Sequence, residues 1–546
     1  MEFSFDFIII GAGTAGCLLA NRLSADPTAR VLLVEAGGPD SYPWIHIPVG
    51  YLYCIGNPRT DWLYKTDAVA GLAGRQLLYP RGKTLGGCSS INGMIYMRGQ
   101  AHDYDHWAEM VGDDAWSWAN VLPDFKAHED HARLDQAADD QSQAFHGHGG
   151  EWRVERQRSH WDILDAFAKA AHQSGIPISD DFNRGDNDGI GYFEVNQRRG
   201  FRWNAARAFL NKIRHRTNLT IWTKTRADRL LFDAGIDGRP RCTGVDLRQG
   251  GTKISVTARR EVILSAGAVA SPQLLMLSGI GRADDLNALN IPVVLNAPGV
   301  GQNLQDHLQL RAVYRLTGAK TLNTMMTSLW GKAKIGLEYA LFQTGPMSMS
   351  PSQLGIFTRS DPTRPYPNIQ YHVQPLSLDA FGQPLHDFPA LTASMCNLNP
   401  ASRGFIRLNS PDPDAHPIIQ PNYLAHPDDH KVAVDSLRVT RGILNQPALA
   451  AYHPQEFKPG PQFQTDEDLL TAAGQIGTTI FHPTGTTAMG PLSDPQAVVD
   501  SHLRVHGIGA LRIVDAGIMP MITSGNTNSP SLMIAEKAAA WIMAAH

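Results

Sequence analysis

Apolar residues run along this chain in short dense blocks separated by glycine-rich and polar turns. Phe5-Asp6-Phe7-Ile8-Ile9-Ile10 is almost continuously apolar, the pattern of a strand covered on both sheet faces. Gly11-Ala12-Gly13-Thr14-Ala15-Gly16 follows, then residues 17–23 keep a helical apolar face, and Val31-Leu32-Leu33-Val34 predicts a second strand ending at Glu35. Residues 219–232 alternate as one strand, and residues 254–264 end in the buried run Val262-Ile263-Leu264. A helix is expected from Ser271-Pro272, with Pro in its first turn, to Ser278 before Gly279. Residues 311–475 change character: Pro, Met and aromatic residues are frequent, and runs such as Ile369-Gln370-Tyr371-His372-Val373 predict a mainly antiparallel sheet covered by helices. The first style returns with a strand at 511–514 ending at Asp515, and a helix over 532–545 closes the chain.

Glycine spacing gives the opening its chemistry. G-x-G-x-x-G between a strand and a helix, with an acid at the end of the next strand, lets a helix N-terminus face a pyrophosphate. Glu35 there can accept hydrogen bonds from both hydroxyls of an adenosine ribose. NAD and FAD both use such a unit. The fold class expected is α/β: a Rossmann-like nucleotide lobe and a second lobe on the antiparallel sheet. The nucleotide lobe is assigned residues 1–155, 200–310 and 476–546, and the second lobe 156–199 and 311–475.

Composition narrows the classes. A chain of 546 residues with 43% hydrophobic and 18% charged residues is neither disordered nor an extended coiled coil. Lys and Arg total 48 against 52 Asp and Glu, a net charge of −4, and basic stretches such as Arg198-Arg199 are brief, so nucleic acid is not an expected partner. Five scattered Cys without a C-x-x-C pair argue against a disulfide framework or a Cys-based zinc site and suit a reducing compartment. No run reaches the length of a membrane span. Glu2 and Asp6, in place of a basic leader region, read the N-terminus as folded structure. Residues 100–160 are polar and predict surface helices and loops, with His146 and His148 facing solvent and no metal site.

Four segments together resemble the glucose–methanol–choline (GMC) flavin oxidoreductases over essentially the whole chain. Besides the opening, Gly82-Lys83-Thr84-Leu85-Gly86-Gly87-Cys88-Ser89-Ser90-Ile91-Asn92 resembles the family's first signature, and the segment from Gly267-Ala268-Val269 to Gly279-Ile280-Gly281 the second. The resemblance lies nearest the choline dehydrogenase-like branch, and it implies FAD in place of NAD. It implies that Gly11, Gly13, Thr14, Ala15 and Gly16 serve the pyrophosphate, and Glu35 and Ala36 the ribose. Ala227 falls at the adenine and Asn92-Gly93-Met94 beside the isoalloxazine. Asp515-Ala516 fall near the ribityl and pyrophosphate, with Gly87 and Thr527 also in the cofactor site. Some relatives bond the flavin covalently to a His at the position of Ile91; Ile91 carries no nucleophile, so FAD is expected to be held non-covalently.

Phe481-His482-Pro483-Thr484-Gly485 resembles the family's catalytic histidine segment, and Ser524-Gly525-Asn526-Thr527-Asn528 its second catalytic position. The expected reaction is oxidation of a primary alcohol, aliphatic or aryl, to the aldehyde by hydride transfer to flavin N5. His482 is the base, and Asn526 donates a hydrogen bond to the substrate oxygen. Phe481 and the stretch 345–353, including Gln353, are candidates for the substrate pocket; a neutral Gln353 offers no counter-charge to choline, which favours an uncharged alcohol. A choline-type dehydrogenase and a flavin-dependent lyase on the same fold are the alternatives. Electrons pass to O2 or to a quinone-like acceptor, a choice the residues leave open. No basic amphipathic helix stands out for a membrane surface, so a cytoplasmic protein is expected, with a weak inner-membrane contact where a membrane acceptor takes the electrons.

Overall fold

The structure is a computed structural model that describes residues 3–135, 140–235, 238–379 and 383–546, so Glu2 lies outside the described residues. Its first sheet has seven strands. Six are β1 (Phe3–Ile10), β2 (Val31–Val34), β3 (Leu219–Trp222), β4 (Thr225–Ala234), β5 (Pro240–Gln249) and β6 (Thr252–Leu264), in the spatial order β4-β5-β6-β1-β2-β3, and Leu511–Ile513 pairs with β6. β1 sits between β6 and β2 and is parallel to both, which is why every residue from Phe5 to Ile10 is buried. The expected single strand over 219–232 is two strands: Lys224 takes a positive φ of 52° and bonds to Gly37, turning the chain between β3 and β4.

Two helices follow strands of this sheet. α1 (Thr14–Leu23) leaves β1 through Gly11, whose φ of 102° suits glycine. A Cβ on Gly16 would lie 1.9 Å from the Gly11 carbonyl oxygen, so the helix packs on the strand only because position 16 is glycine. α2 (Gly267–Leu277) starts a turn earlier than expected and carries Pro272 inside it. Pro272 has no N–H for the Ala268 carbonyl; the Thr486 hydroxyl donates to that oxygen instead, at 2.6 Å. The helix therefore tolerates its proline and gains a tie to the C-terminal segment.

The second sheet is antiparallel, in line with the pattern of 311–475. β7 (Leu308–Arg315), β8 (Leu354–Thr358), β9 (Ile369–Gln374), β10 (Ala390–Asn397) and β11 (Gln455–Lys458) run in the order β11-β7-β10-β9-β8, with Gly189–Tyr192 beyond β8 and β12 (Gly477–Thr479) paired to β7. Each sheet has its own apolar core. α3 (Leu329–Phe342) lies on the surface between β7 and β8. The closing helix α4 (Asn528–Ala545) begins one turn before the expected start, and Pro530 falls in its first turn, where no N–H is missed. α4 lies along α1: the Thr14 hydroxyl donates to Asn528 Oδ1 at 2.8 Å, and Arg22 Nε to Glu536 Oε1 at 2.7 Å.

Residues 100–160 differ from the expected surface layer. Tyr104, Trp107, Trp116, Phe125 and Trp152 are buried, and so are the polar His128, Glu129 and His131 between them. His148 is exposed, but His146 is fully buried. Ligand atoms of Glu129, His131 and His146 lie within 4.8 Å of one another, and each residue is already engaged. Glu129 accepts two N–H bonds from Arg98, His131 pairs with Glu194, and His146 with Asp181 at 2.7 Å. His146 belongs to a buried ion network.

Candidate active site

One continuous cavity runs from the N-terminus of α1 to His482. At the first end, Gly11, Gly13, Thr14 and Ala15 line the wall beside Glu35 and Ala36. α1 has no side-chain cap, so the N–H groups of its first turn face the cavity unsatisfied, and a Cβ on Gly13 would meet nothing nearer than 3.9 Å. That is the donor set and the clearance a pyrophosphate needs. Glu35 Oε2 accepts from Ala12 N–H and Oε1 from Gly37 N–H, and burial pushes its carboxyl up to about 7. It forms no ion pair among the described residues, which leaves it fit to accept from ribose hydroxyls. Ala227 lines the same end; Gly87, Asn92, Gly93 and Met94 form the middle wall with Asp515, Ala516 and Thr527. Met94 stands at φ 62°, and its N–H donates to Asn92 Oδ1. These residues fit FAD.

The other end is built on a run that the sequence reading passed over, Gln305-Asp306-His307. Gln305 and Thr484 exchange backbone hydrogen bonds, and Ile480 N–H donates to the His307 carbonyl, so the His482 segment lies against this run as an added strand. Buried Asp306 accepts from the His482 N–H at 2.8 Å, from the hydroxyls of Thr479 and Tyr79, and from that of Tyr423. Arg81 holds the Phe481 carbonyl at 2.6 Å, and Phe481 takes φ 71°. Backbone contacts on both sides thus fix the position of the His482 ring.

Hydrogen bonds also fix its protonation. His307 Nε2 lies 3.1 Å from the Leu398 carbonyl, which can only accept, so Nε2 carries the His307 proton. His307 Nδ1 is then an acceptor, and His482 Nδ1, 3.0 Å away, must be the donor. The lone pair of His482 is left on Nε2. Asn526 Nδ2 lies 3.0 Å from that nitrogen and donates to it, while Gln370 donates to Asn526 Oδ1 at 3.3 Å and sets the amide's orientation. Burial, with His307, His372 and Arg81 nearby, holds the His482 ring well below the usual imidazole range; burial alone takes His307 down to about 4. The site presents a neutral imidazole with its base nitrogen beside an amide donor.

Gln370, His372 and Gln374 alternate on β9 and turn one polar face to this end. His372 and Gln374 line the cavity, and His372 Nε2 is buried without a hydrogen-bond partner. The alternation was visible in the sequence, but only the pairing of β9 showed which face looks inward. Phe481, His482 and Asn526 also line the cavity. Gln353 does not: its side chain is fully buried and donates to the Ser350 carbonyl, so the expectation that it contacts substrate is corrected. The residue before it, Ser352, faces the cavity and accepts from Gln374. Gly16 likewise serves helix packing and is absent from the wall.

A cleft with a pyrophosphate site at one end and an oriented imidazole at the other suits an oxidoreductase that works on a bound dinucleotide. Comparison with known proteins makes this specific. Two models of the GMC oxidoreductase family match, over residues 5–309 and 400–535, and the chain belongs to that family, whose enzymes carry FAD. It is 39% identical to an alcohol dehydrogenase (acceptor) of Pseudomonas putida, over 98% of this chain and 95% of that one. It is 40% identical to the mitochondrial choline dehydrogenase of Homo sapiens, over 98% and 89%. The solved structure of pyridoxine 4-oxidase from Mesorbium loti superposes with a TM-score of 0.88 at 32% identity, covering 99% of this chain and all of that one.

Proposed function

We propose that this enzyme oxidises an uncharged primary alcohol to its aldehyde, with His482 as base. Bound FAD, held non-covalently by the first sheet and its helices, supplies the hydride acceptor. The chain's own residues do the rest. His482 Nε2 takes the hydroxyl proton; the Nδ1–H bond to His307 stays intact as the ring gains charge. Asn526, whose amide caps Nε2 in the free site, donates to the substrate oxygen instead and stabilises its developing negative charge. The second sheet, through His372, Gln374 and Ser352, forms the substrate wall.

The charge of the cavity wall carries the choice of an uncharged substrate. Three carboxylates line it, and each is engaged elsewhere. Glu35 accepts from backbone N–H groups, Asp414 pairs with Arg226 and Arg248, and Asp515 accepts from the Ser271 hydroxyl and two N–H groups. Around His482 the wall includes Ile480, Phe481, Pro483, Asn526, Pro351, Ser352, His372 and Gln374, with Arg81 as the cation among them. A quaternary ammonium finds no counter-charge there, and a neutral alcohol needs none. The 40% identity to a choline dehydrogenase makes choline the comparison to run. Anaerobic bleaching of the flavin by a panel of alcohols, then admission of air, reports substrate class and oxygen reactivity together. Neutral primary alcohols should exceed choline in kcat/KM; choline preferred over all of them would overturn the reading. An alcohol that turns over without bleaching would point to a lyase.

A further inference from the structure

α3 carries apolar residues on both sides. Ile335 and Tyr339 face the protein. On the opposite side, at 3.6 residues per turn, Leu329, Trp330, Ala333, Leu337, Ala340 and Leu341 fall within an arc of about 120°, and all six are exposed. Leu329 and Trp330 are 85% and 83% exposed, Leu337 and Leu341 60% each. A water-facing helix side is ordinarily polar. This one is apolar and rimmed with cations. Lys332 and Lys334 flank it on the helix, and the hairpin tip Arg198-Arg199 abuts its C-terminal half, where the Tyr339 hydroxyl donates to the Gly200 carbonyl at 3.0 Å. None of the four cations forms an ion pair among the described residues. The neighbouring acids are Glu338, which accepts from the Thr344 hydroxyl, and Glu155, which accepts from Arg153 and the Arg199 N–H.

We propose that α3 docks this enzyme on the surface of an anionic lipid bilayer, lying flat with Trp330, Leu337 and Leu341 among the acyl chains and Lys332, Lys334, Arg198 and Arg199 at the headgroups. No described helix is long and apolar enough to cross a membrane, and α3, at 14 residues, spans about 21 Å and suits the interface plane. Charge selects this occupant. A cationic rim complements anionic headgroups, which attract Lys and Arg held near such a surface, whereas two copies packed face to face would bring eight cations together. Area agrees: a strip about 21 Å by 10 Å is roughly 200 Å², well short of the about 800 Å² per partner of a stable protein interface. Nine residues after Phe342 the chain reaches Pro351 and Ser352 of the cavity wall. Docking therefore ties the cavity wall to the bilayer through one short connection, and apolar alcohols and a lipid-soluble electron acceptor concentrate at that surface. No basic amphipathic helix stands out in the sequence, and α3 agrees: with Ile335 and Tyr339 apolar on the inner side, the helix shows no single-sided periodicity.

The test is co-sedimentation of the FAD-loaded enzyme with vesicles of phosphatidylcholine containing one quarter phosphatidylglycerol, and with phosphatidylcholine alone. The enzyme should bind the anionic vesicles, more weakly at high salt. Trp330→Glu with Leu337→Glu should cut the partition coefficient about tenfold or more, with flavin absorbance and Tm unchanged because both residues face solvent. Lys332→Glu with Lys334→Glu should weaken binding to the anionic vesicles only. No binding to either vesicle, or equal binding by the variants, would overturn the proposal. So would a dimer by light scattering that the Trp330 and Leu337 changes dissociate without any vesicle binding.

Discussion

His307 touches the reaction only through His482, and replacing it isolates what the tautomer contributes. In His307→Ala the Nδ1–H of His482 loses its acceptor inside a buried site. Leaving such a donor unsatisfied costs about 1–3 kcal/mol. The ring can escape that cost by moving its proton to Nε2, which removes the lone pair that takes the hydroxyl proton. Since about 1.4 kcal/mol is tenfold in an equilibrium constant, flavin reduction should slow by about 10-fold to 100-fold. The assay is anaerobic stopped-flow reduction at varied alcohol concentration. The limiting rate should fall while the half-saturating concentration changes little, and FAD content should equal wild type. His307→Gln supplies Oε1 as acceptor and Nε2 as donor to the Leu398 carbonyl, so it should recover part of the loss; a purely structural defect would not respond in this way. A His307→Ala enzyme reducing within about twofold of wild type would refute the reasoning.

Three further outcomes follow from the same geometry. Asp306→Asn turns an amide N–H toward one of four donors and should lower stability by about 1–3 kcal/mol, read from chemical denaturation, while slowing flavin reduction because His482 N–H loses its anchor; unchanged stability would contradict the described network. Asn526→Leu should slow flavin reduction by about 10²–10³-fold with FAD still bound, and a wild-type rate would exclude the amide from stabilising the substrate oxygen. Glu35 gives a pH signature: burial raises its carboxyl to about 7 in the ligand-free site, whereas ribose hydroxyls donate to the ionised form. FAD binding should therefore release a proton, and affinity should rise with pH from about 5 to about 7, by up to about tenfold per unit. Fluorescence titration of apoenzyme checks this, and Glu35→Gln should flatten the profile; a flat wild-type profile would contradict the role.

Much of the nucleotide end was legible because its chemistry is local. Gly11, Gly13 and Glu35 are fixed by a strand, a turn and a helix contiguous in the chain, and the same holds for the strand that ends before Ser265. The proposed catalytic pair, His482 and Asn526, was read from its segments, and both reach one cavity. What held them in place was not legible. Asp306 and His307 act on residues some 175 positions later, a relation that only the pairing of the Gln305 run with Thr484 creates. Gln353 was misplaced for a similar reason: adjacent residues entering a strand point opposite ways, so Ser352 took the cavity and Gln353 the interior. His146 looked solvent-facing in a polar stretch, but it is buried against Glu129 and Asp181.

The proposed reaction requires His482 Nε2 to take the substrate proton, and single-turnover anaerobic reduction of the flavin by a neutral primary alcohol tests this most directly. His482→Ala should retain its yellow FAD and bleach about 10²–10⁴-fold more slowly than wild type. Bleaching at the wild-type rate with FAD fully bound would contradict it.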